Sequence, residues 1–127
     1  MPDQPFKRDS ILCFDVLEHV PNYRKVIAEF QRVPDHNGHL ILTAPFSFQQ
    51  ETVVRAIVKP NGDIEHLMEP CYHGDPLSAD GVLAFYDFRM ELLDELDAVG
   101  FKENYLVCYN SNDWGYPGAN IAFVARK

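Results

Sequence analysis

The sequence predicts an α/β fold in which parallel strands are joined by a crossover helix and the chain closes in a C-terminal antiparallel hairpin. Three observations carry this. Ser10 to Phe14 and His39 to Ala44 are continuous apolar runs of strand length. Between them, apolar residues recur at spacings of three and four. Beyond Gly100, two more strand-like runs flank the turn-rich stretch NSNDWGYPG.

The run SILCF is too short for a helix and does not alternate, as expected of a strand covered on both faces. Pro21 suits the first turn of a helix, where its missing N–H costs nothing. Val20, Tyr23, Val26, Ile27, Phe30 and Val33 then form one apolar face, with Arg24, Lys25, Glu29 and Arg32 opposite. Pro34 stops the helix, and the turn DHNG, Asp35 to Gly38, leads into HLILTA, which Pro45 ends. Strand, helix, turn and strand in this length make a right-handed βαβ unit with parallel strands.

From Phe46 to Asp87 periodicity is poor and proline and glycine recur, so this stretch reads as a long loop or cap insertion. Within it, Thr52 to Val58 fits either a short helix or a strand. Phe88, Leu92, Leu93, Leu96 and Val99 mark a second helix, with Asp87 placed to cap its start and Gly100 its end. Asn104 to Tyr109 and Asn120 to Ala125 form the terminal hairpin.

A chain of 127 residues with 46% hydrophobic content fits one domain with a real core. Cys13, Cys71 and Cys108 are odd in number, and two lie in apolar runs, which argues against a disulfide framework. A net charge of -8, spread along the chain, repels phosphate backbones and disfavours a nucleic-acid partner. No run approaches the roughly 20 apolar residues of a membrane span, and the N-terminus carries no signal-like run. The expectation is a soluble, cytoplasmic protein without membrane attachment.

The order of elements, with FDVLEHVPN, GHLILTAPF and LLDELDAVGF, resembles the C-terminal half of class I S-adenosylmethionine-dependent methyltransferases, those of type 11 and 12 in the small-molecule branch. The likeness runs from about Phe6 to Lys127. It implies a partial Rossmann-like methyltransferase fold, in which D-x-L-E-H follows the fourth strand and the G-G-x-L type segment forms the fifth. DHNG keeps only the final glycine of the family's K-P-G-G turn. The family holds its cofactor on a glycine-rich turn and an acidic residue upstream of L-E-H. No G-x-G-x-x-G occurs in this chain. The expected organisation is therefore a single methyltransferase-like domain over residues 1–127 that lacks the N-terminal cofactor-binding half.

Asp15, Glu18 and His19 fall just past the first strand, at the edge where open α/β sheets bind ligands. The resemblance implies that they line the path between methyl donor and acceptor, with His19 as general base. It also assigns Phe14, Asp15 and Val16 to the cofactor. The plain alternative is that Asp15 and Glu18 favour the coming helix N-terminus, with His19 packed beside them. A third reading takes Asp15, Glu18 and His19 as ligands of a divalent cation, as in some ubiquinone-pathway O-methyltransferases; Asp15 departs from the glutamate expected there.

In EHLMEPCYHGDP, the residues His66, Cys71 and His73 lack the paired spacing of a structural zinc site. The segment EPxYHGxP resembles a loop that covers the acceptor in a subset of these enzymes, which makes Tyr72 and His73 substrate-loop candidates. Trp114, Tyr116 and Phe46 read as packing anchors.

The resulting expectation is S-adenosylmethionine-dependent methyl transfer to a small-molecule O or N acceptor. The competing expectation is a non-catalytic remnant acting as an interaction module. Under either, a homodimer or a partner chain would cover the free edge of the first strand.

Overall fold

The computed structural model describes residues 8–127. Strand β1 (Arg8–Phe14) leads through a 3₁₀ turn (Leu17–His19) into helix α1 (Tyr23–Arg32) and strand β2 (Pro34–Thr43). Six short strands follow: β3 (Val53–Val54), β4 (Ala56–Val58), β5 (Ile64–His66), β6 (Tyr72–Asp75), β7 (Ser78–Leu83) and β8 (Tyr86–Asp87). Helix α2 (Glu91–Ala98) and the long strands β9 (Glu103–Ser111) and β10 (Tyr116–Arg126) complete the chain.

The main sheet has the order β1-β2-β10-β9. β1 and β2 are parallel, with Cys13 opposite Leu42, while β10 runs antiparallel to both β2 and β9. Both helices join one core cluster with Cys13, Leu40, Leu42, Phe123 and Ala125. Tyr23 and Ile27 of α1 and Leu92 and Leu96 of α2 are fully buried there. Each such side chain contributes about 1.5–3 kcal/mol of burial. Glu95 ties the helices together, accepting from Tyr23 Oη and Arg24 Nε at 2.9 Å each.

Among the described residues the two helices cover only one face of the sheet. The continuous apolar run of β1 predicts two covered faces, yet Leu12 and Phe14 are 62% and 52% exposed. The register places Leu12, Ile41, Val124 and Tyr105 in one row of the other face, which is exposed at Leu12 and Tyr105 and buried at Val124. Among the described residues β1 is also an edge strand, paired with β2 alone.

Several boundaries differ from expectation. The 3₁₀ turn occupies the approach to α1, so the helix starts at Tyr23 and Pro21 lies ahead of it; the Pro21 carbonyl accepts from Tyr86 Oη. Asp35 to Gly38 is a bulge within β2 rather than a free turn: the register shifts between Arg8 and Ser10, and Asn37 has φ 64°. The last residue secures it, since Asn37 N donates to Lys127 O and Lys127 N donates to Gly38 O.

Helix α2 begins three residues later than the apolar spacing suggests. Asp87 does not cap it, because Asp87 pairs with Val53 in the β3/β8 ladder and accepts from Arg55 Nη1 at 2.7 Å. Phe88 is fully buried and bridges to Phe46. Gly100 ends α2 at φ 107°, a value that suits glycine.

The stretch from Phe46 to Asp87 is built of paired strands: β3 with β8, β4 with β5, and β6 with β7, all antiparallel. Thr52 to Val58 is thus extended and not helical. Ala56, Phe85 and Tyr86 pin the segment into the main core. The three cysteines are free, and among the described residues no helix is long and apolar enough to cross a membrane.

Candidate functional site

At the carboxyl end of β1 the chain turns sharply. Asp15 takes φ 52°, a conformation that aspartate tolerates better than most residues. Its N–H donates to Thr43 O at 3.0 Å, and its carboxylate accepts from Thr43 Oγ1 at 3.1 Å. Asp15 thereby clamps the ends of the two parallel strands together. Phe14 and Val16 on either side are half exposed.

The 3₁₀ turn then carries Leu17 and Glu18 inward, and both are completely buried. A strap from Leu83 to Phe85 closes over this turn. Phe85 N donates to Glu18 O at 2.8 Å, and His19 Nδ1 donates to Leu83 O at 2.8 Å. The strap is the continuation of β7, so the β6/β7 hairpin is delivered with it and His73 comes to lie beside the turn.

Gly81 permits that approach. A Cβ there would lie 2.4 Å from the His73 carbonyl oxygen, and Gly81 holds φ +76°. The hairpin therefore needs a glycine where its strands pass closest.

The result is a compact group of Glu18, His19 and His73. Glu18 Oε1 lies 3.6 Å from His19 Nε2 and 3.5 Å from His73 Nδ1. The imidazoles meet edge-on, with centroids 4.8 Å apart. Both carboxylate oxygens of Glu18 are buried without a hydrogen-bond partner among the described residues. Burial first, and then the Asp15 carboxylate, push the Glu18 carboxyl above the ordinary range, against the pull of both imidazoles. Beside it the Cys13 thiol is also pushed up, first by burial and then by Glu18 and Asp15.

Because a carbonyl can only accept, the bond to Leu83 places a proton on His19 Nδ1. In the neutral ring Nε2 keeps its lone pair and points at Glu18.

Asp15 stands apart from this group. The ligand-capable atoms drawn together belong to Glu18, His19 and His73, whereas the Asp15 carboxylate is engaged by Thr43. A cation set of Asp15, Glu18 and His19 is therefore not the one assembled. Tyr72 is exposed while its neighbour His73 joins the cluster. His66 is exposed in β5, where it pairs with Ala56, and it does not group with Cys71 and His73.

Asp15 and Thr43 instead line a cleft of about 440 Å³ with Phe46, Tyr109, Tyr116 and Asn120. That volume suits a small molecule. Tyr109 and Tyr116 meet edge to face across the hairpin, at 5.5 Å between centroids. Of the expected packing anchors, Phe46 packs on Phe48 and Phe123, while Trp114 is 82% exposed at the hairpin tip and is no packing anchor among the described residues. Sequence patterning does not single out Thr43, Tyr109 and Asn120; Thr43, the last residue of β2, is the one whose place at a strand end offers a signal.

The comparisons with known proteins follow this geometry. A family model described as a methyltransferase domain matches residues 1–42, which takes in the DVLEHVP segment, α1 and β2 as far as Leu42. An S-adenosylmethionine-dependent methyltransferase from Mesorhizobium loti superposes with a TM-score of 0.57 at 12% identity, over 94% of this chain. The chain has the fold of part of that protein. A second structure, PigF with SAH, superposes with a TM-score of 0.52 at 16% identity over 98% of this chain. The chain spans 62% of the length of the first and 32% of the second. No curated protein matches the sequence. In sequence, then, the methyltransferase likeness is concentrated before Thr43; beyond that point it is carried by the path of the backbone.

Proposed function

We propose that this chain forms the acceptor side of an S-adenosylmethionine-dependent methyltransferase acting on an oxygen or nitrogen of a small molecule. The observation that carries the reading is the Glu18, His19 and His73 group at the carboxyl end of β1, the edge where open α/β sheets bind ligands. The separate cleft lined by Asp15 and Thr43, past the end of the same strand, supports it with room for a small acceptor.

Phe14, Asp15 and Val16 fit a methyl donor only in part. The exposure of Leu12, Phe14 and Val16 leaves one wall without an opposite one. We infer that the remaining wall, and cover for the free edge of β1, come from chain outside residues 8–127, from a second copy or from another protein. S-adenosylmethionine supplies an already activated methyl group, so the protein's task is alignment, exclusion of water and handling of one proton. Where no ion occupies the group, His19, held by Leu83, keeps an Nε2 lone pair for that proton; an ion bound there would take that lone pair instead. Asp15, tied to Thr43, orients the cleft wall.

Calorimetric titration with S-adenosylhomocysteine tests the reading, on this chain and on the chain extended by the reading frame preceding Met1. Binding to either one supports it. Absence of binding to both, together with a stable dimer of the 127-residue chain, would favour an interaction module built on the open face of β1.

A further inference from the structure

We propose that Glu18, His19 and His73 form a binding site for a divalent first-row transition-metal ion, with zinc the best fit. The site rests on its own geometry and does not need the methyl-transfer reading.

The first argument is the state of Glu18. Its side chain is 0% exposed and neither oxygen has a hydrogen-bond partner among the described residues. A buried carboxylate in that condition is costly and is ordinarily paired or metal-bound. The two nearest candidates do not hydrogen-bond it: at 3.5 and 3.6 Å the imidazole nitrogens lie beyond the about 2.7–3.2 Å of a real bond.

Those separations do suit a shared ion. Zinc–nitrogen and zinc–oxygen distances of about 2.0–2.2 Å put tetrahedral ligand atoms about 3.4 Å from one another. All three ligand-capable atoms lie within 4.8 Å of one another, so a small rotation of one imidazole completes the set.

The surroundings match as well. His19 donates Nδ1–H to the Leu83 carbonyl at 2.8 Å, the outer-shell contact that fixes a metal-ligating histidine and leaves Nε2 free. The His73 side chain is 34% exposed and that of Glu18 is closed off, so the group has an inner wall and an outer opening. Two imidazoles and one carboxylate select zinc and its first-row neighbours over magnesium or calcium, which prefer oxygen donors. Three protein ligands leave a fourth position open, as in catalytic zinc sites.

The test is calorimetric titration with zinc chloride and, in parallel, thermal unfolding with zinc or with a chelator. Both are run in a Cys71→Ser, Cys108→Ser background so that accessible thiols do not compete. The expected result is one zinc per chain and a raised melting temperature. His73→Ala should weaken binding by at least about 10-fold, and Glu18→Gln should remove the zinc-dependent shift while leaving the chelated protein folded. His66→Ala, which alters an exposed histidine of the same segment outside the cluster, should bind as the parent does. Equal zinc affinity in the parent and His73→Ala, or no zinc effect on the parent, would overturn the proposal. None of these readouts involves a methyl donor, so failure here leaves the methyl-transfer reading standing, and the reverse also holds.

Discussion

Glu18 Oε1 lies 3.5 Å from Nδ1 of His73, although the two residues belong to parts of the chain with no shared pattern. The contact depends on a hairpin whose strands pass at the limit of backbone approach. Gly81→Ala should therefore act at a distance from its own position. An alanine at φ +76° is strained, and its Cβ would overlap the His73 carbonyl. We expect a loss of about 1–3 kcal/mol in urea unfolding. Zinc affinity should fall as well, whereas Gly115→Ala in the terminal hairpin, where nothing lies near the added Cβ, should carry only the conformational cost.

Replacing Glu18 separates charge from volume. In the presence of chelator, Glu18→Leu removes a buried unpartnered carboxylate while keeping most of its bulk, and we expect stability unchanged or raised by about 1–2 kcal/mol. Glu18→Ala also empties a packed position and should lie below Glu18→Leu, because the cavity term opposes the gain. Denaturant midpoints of the three proteins give the order directly. A Glu18→Leu protein markedly less stable than the parent would mean that the carboxylate has a partner in the native protein.

The elements legible in the sequence are those long enough to show a period. Both long helices and the hairpin could be located from apolar spacing, because the face bearing Tyr23 and Ile27, or Leu92 and Leu96, must be buried to offset the entropy of ordering. Strands of two to six residues such as β3 and β6 carry too few side chains for a period to appear, so the segment from Phe46 to Asp87 read as loop. Asp87 and Phe88 misled for a different reason: their local suitability for a helix start was overridden by the Arg55 ion pair and by burial against Phe46. At the site, Glu18 and His19 were legible from their place after a strand. His73 is legible as a substrate-loop candidate, but its partnership with Glu18 is set by the closure of Leu83 to Phe85 over the turn, which no local pattern encodes.

The cysteines should react in order of access. Cys108 is exposed, Cys71 half-buried and Cys13 buried beside Glu18, with its thiol pushed up by burial and by the two nearby carboxylates. The thiolate is the reactive form, so both exposure and ionisation disfavour Cys13. With an aromatic disulfide reagent at neutral pH, we expect Cys108 to be modified first and Cys13 only as fast as the core opens. Rapid modification of Cys13 in the folded protein, followed by mass spectrometry of peptides, would contradict the packing around the end of β1.

The open face of β1 makes a prediction about association. Leu12, 62% exposed, stands on an edge strand whose outer hydrogen-bonding groups have no strand partner among the described residues. Such an edge invites pairing with another chain, and a charged residue on it is the usual deterrent. Leu12→Lys should leave folding stability within about 0.5 kcal/mol, because the side chain it replaces already faces solvent. The parent should show concentration-dependent mass in sedimentation velocity, and the variant should shift toward monomer. If extension upstream of Met1 supplies a further strand, the extended protein should be monomeric with or without the substitution, because its edge is already paired. Persistent association of the extended parent, abolished by Leu12→Lys, would instead assign the open face to a second copy of the chain.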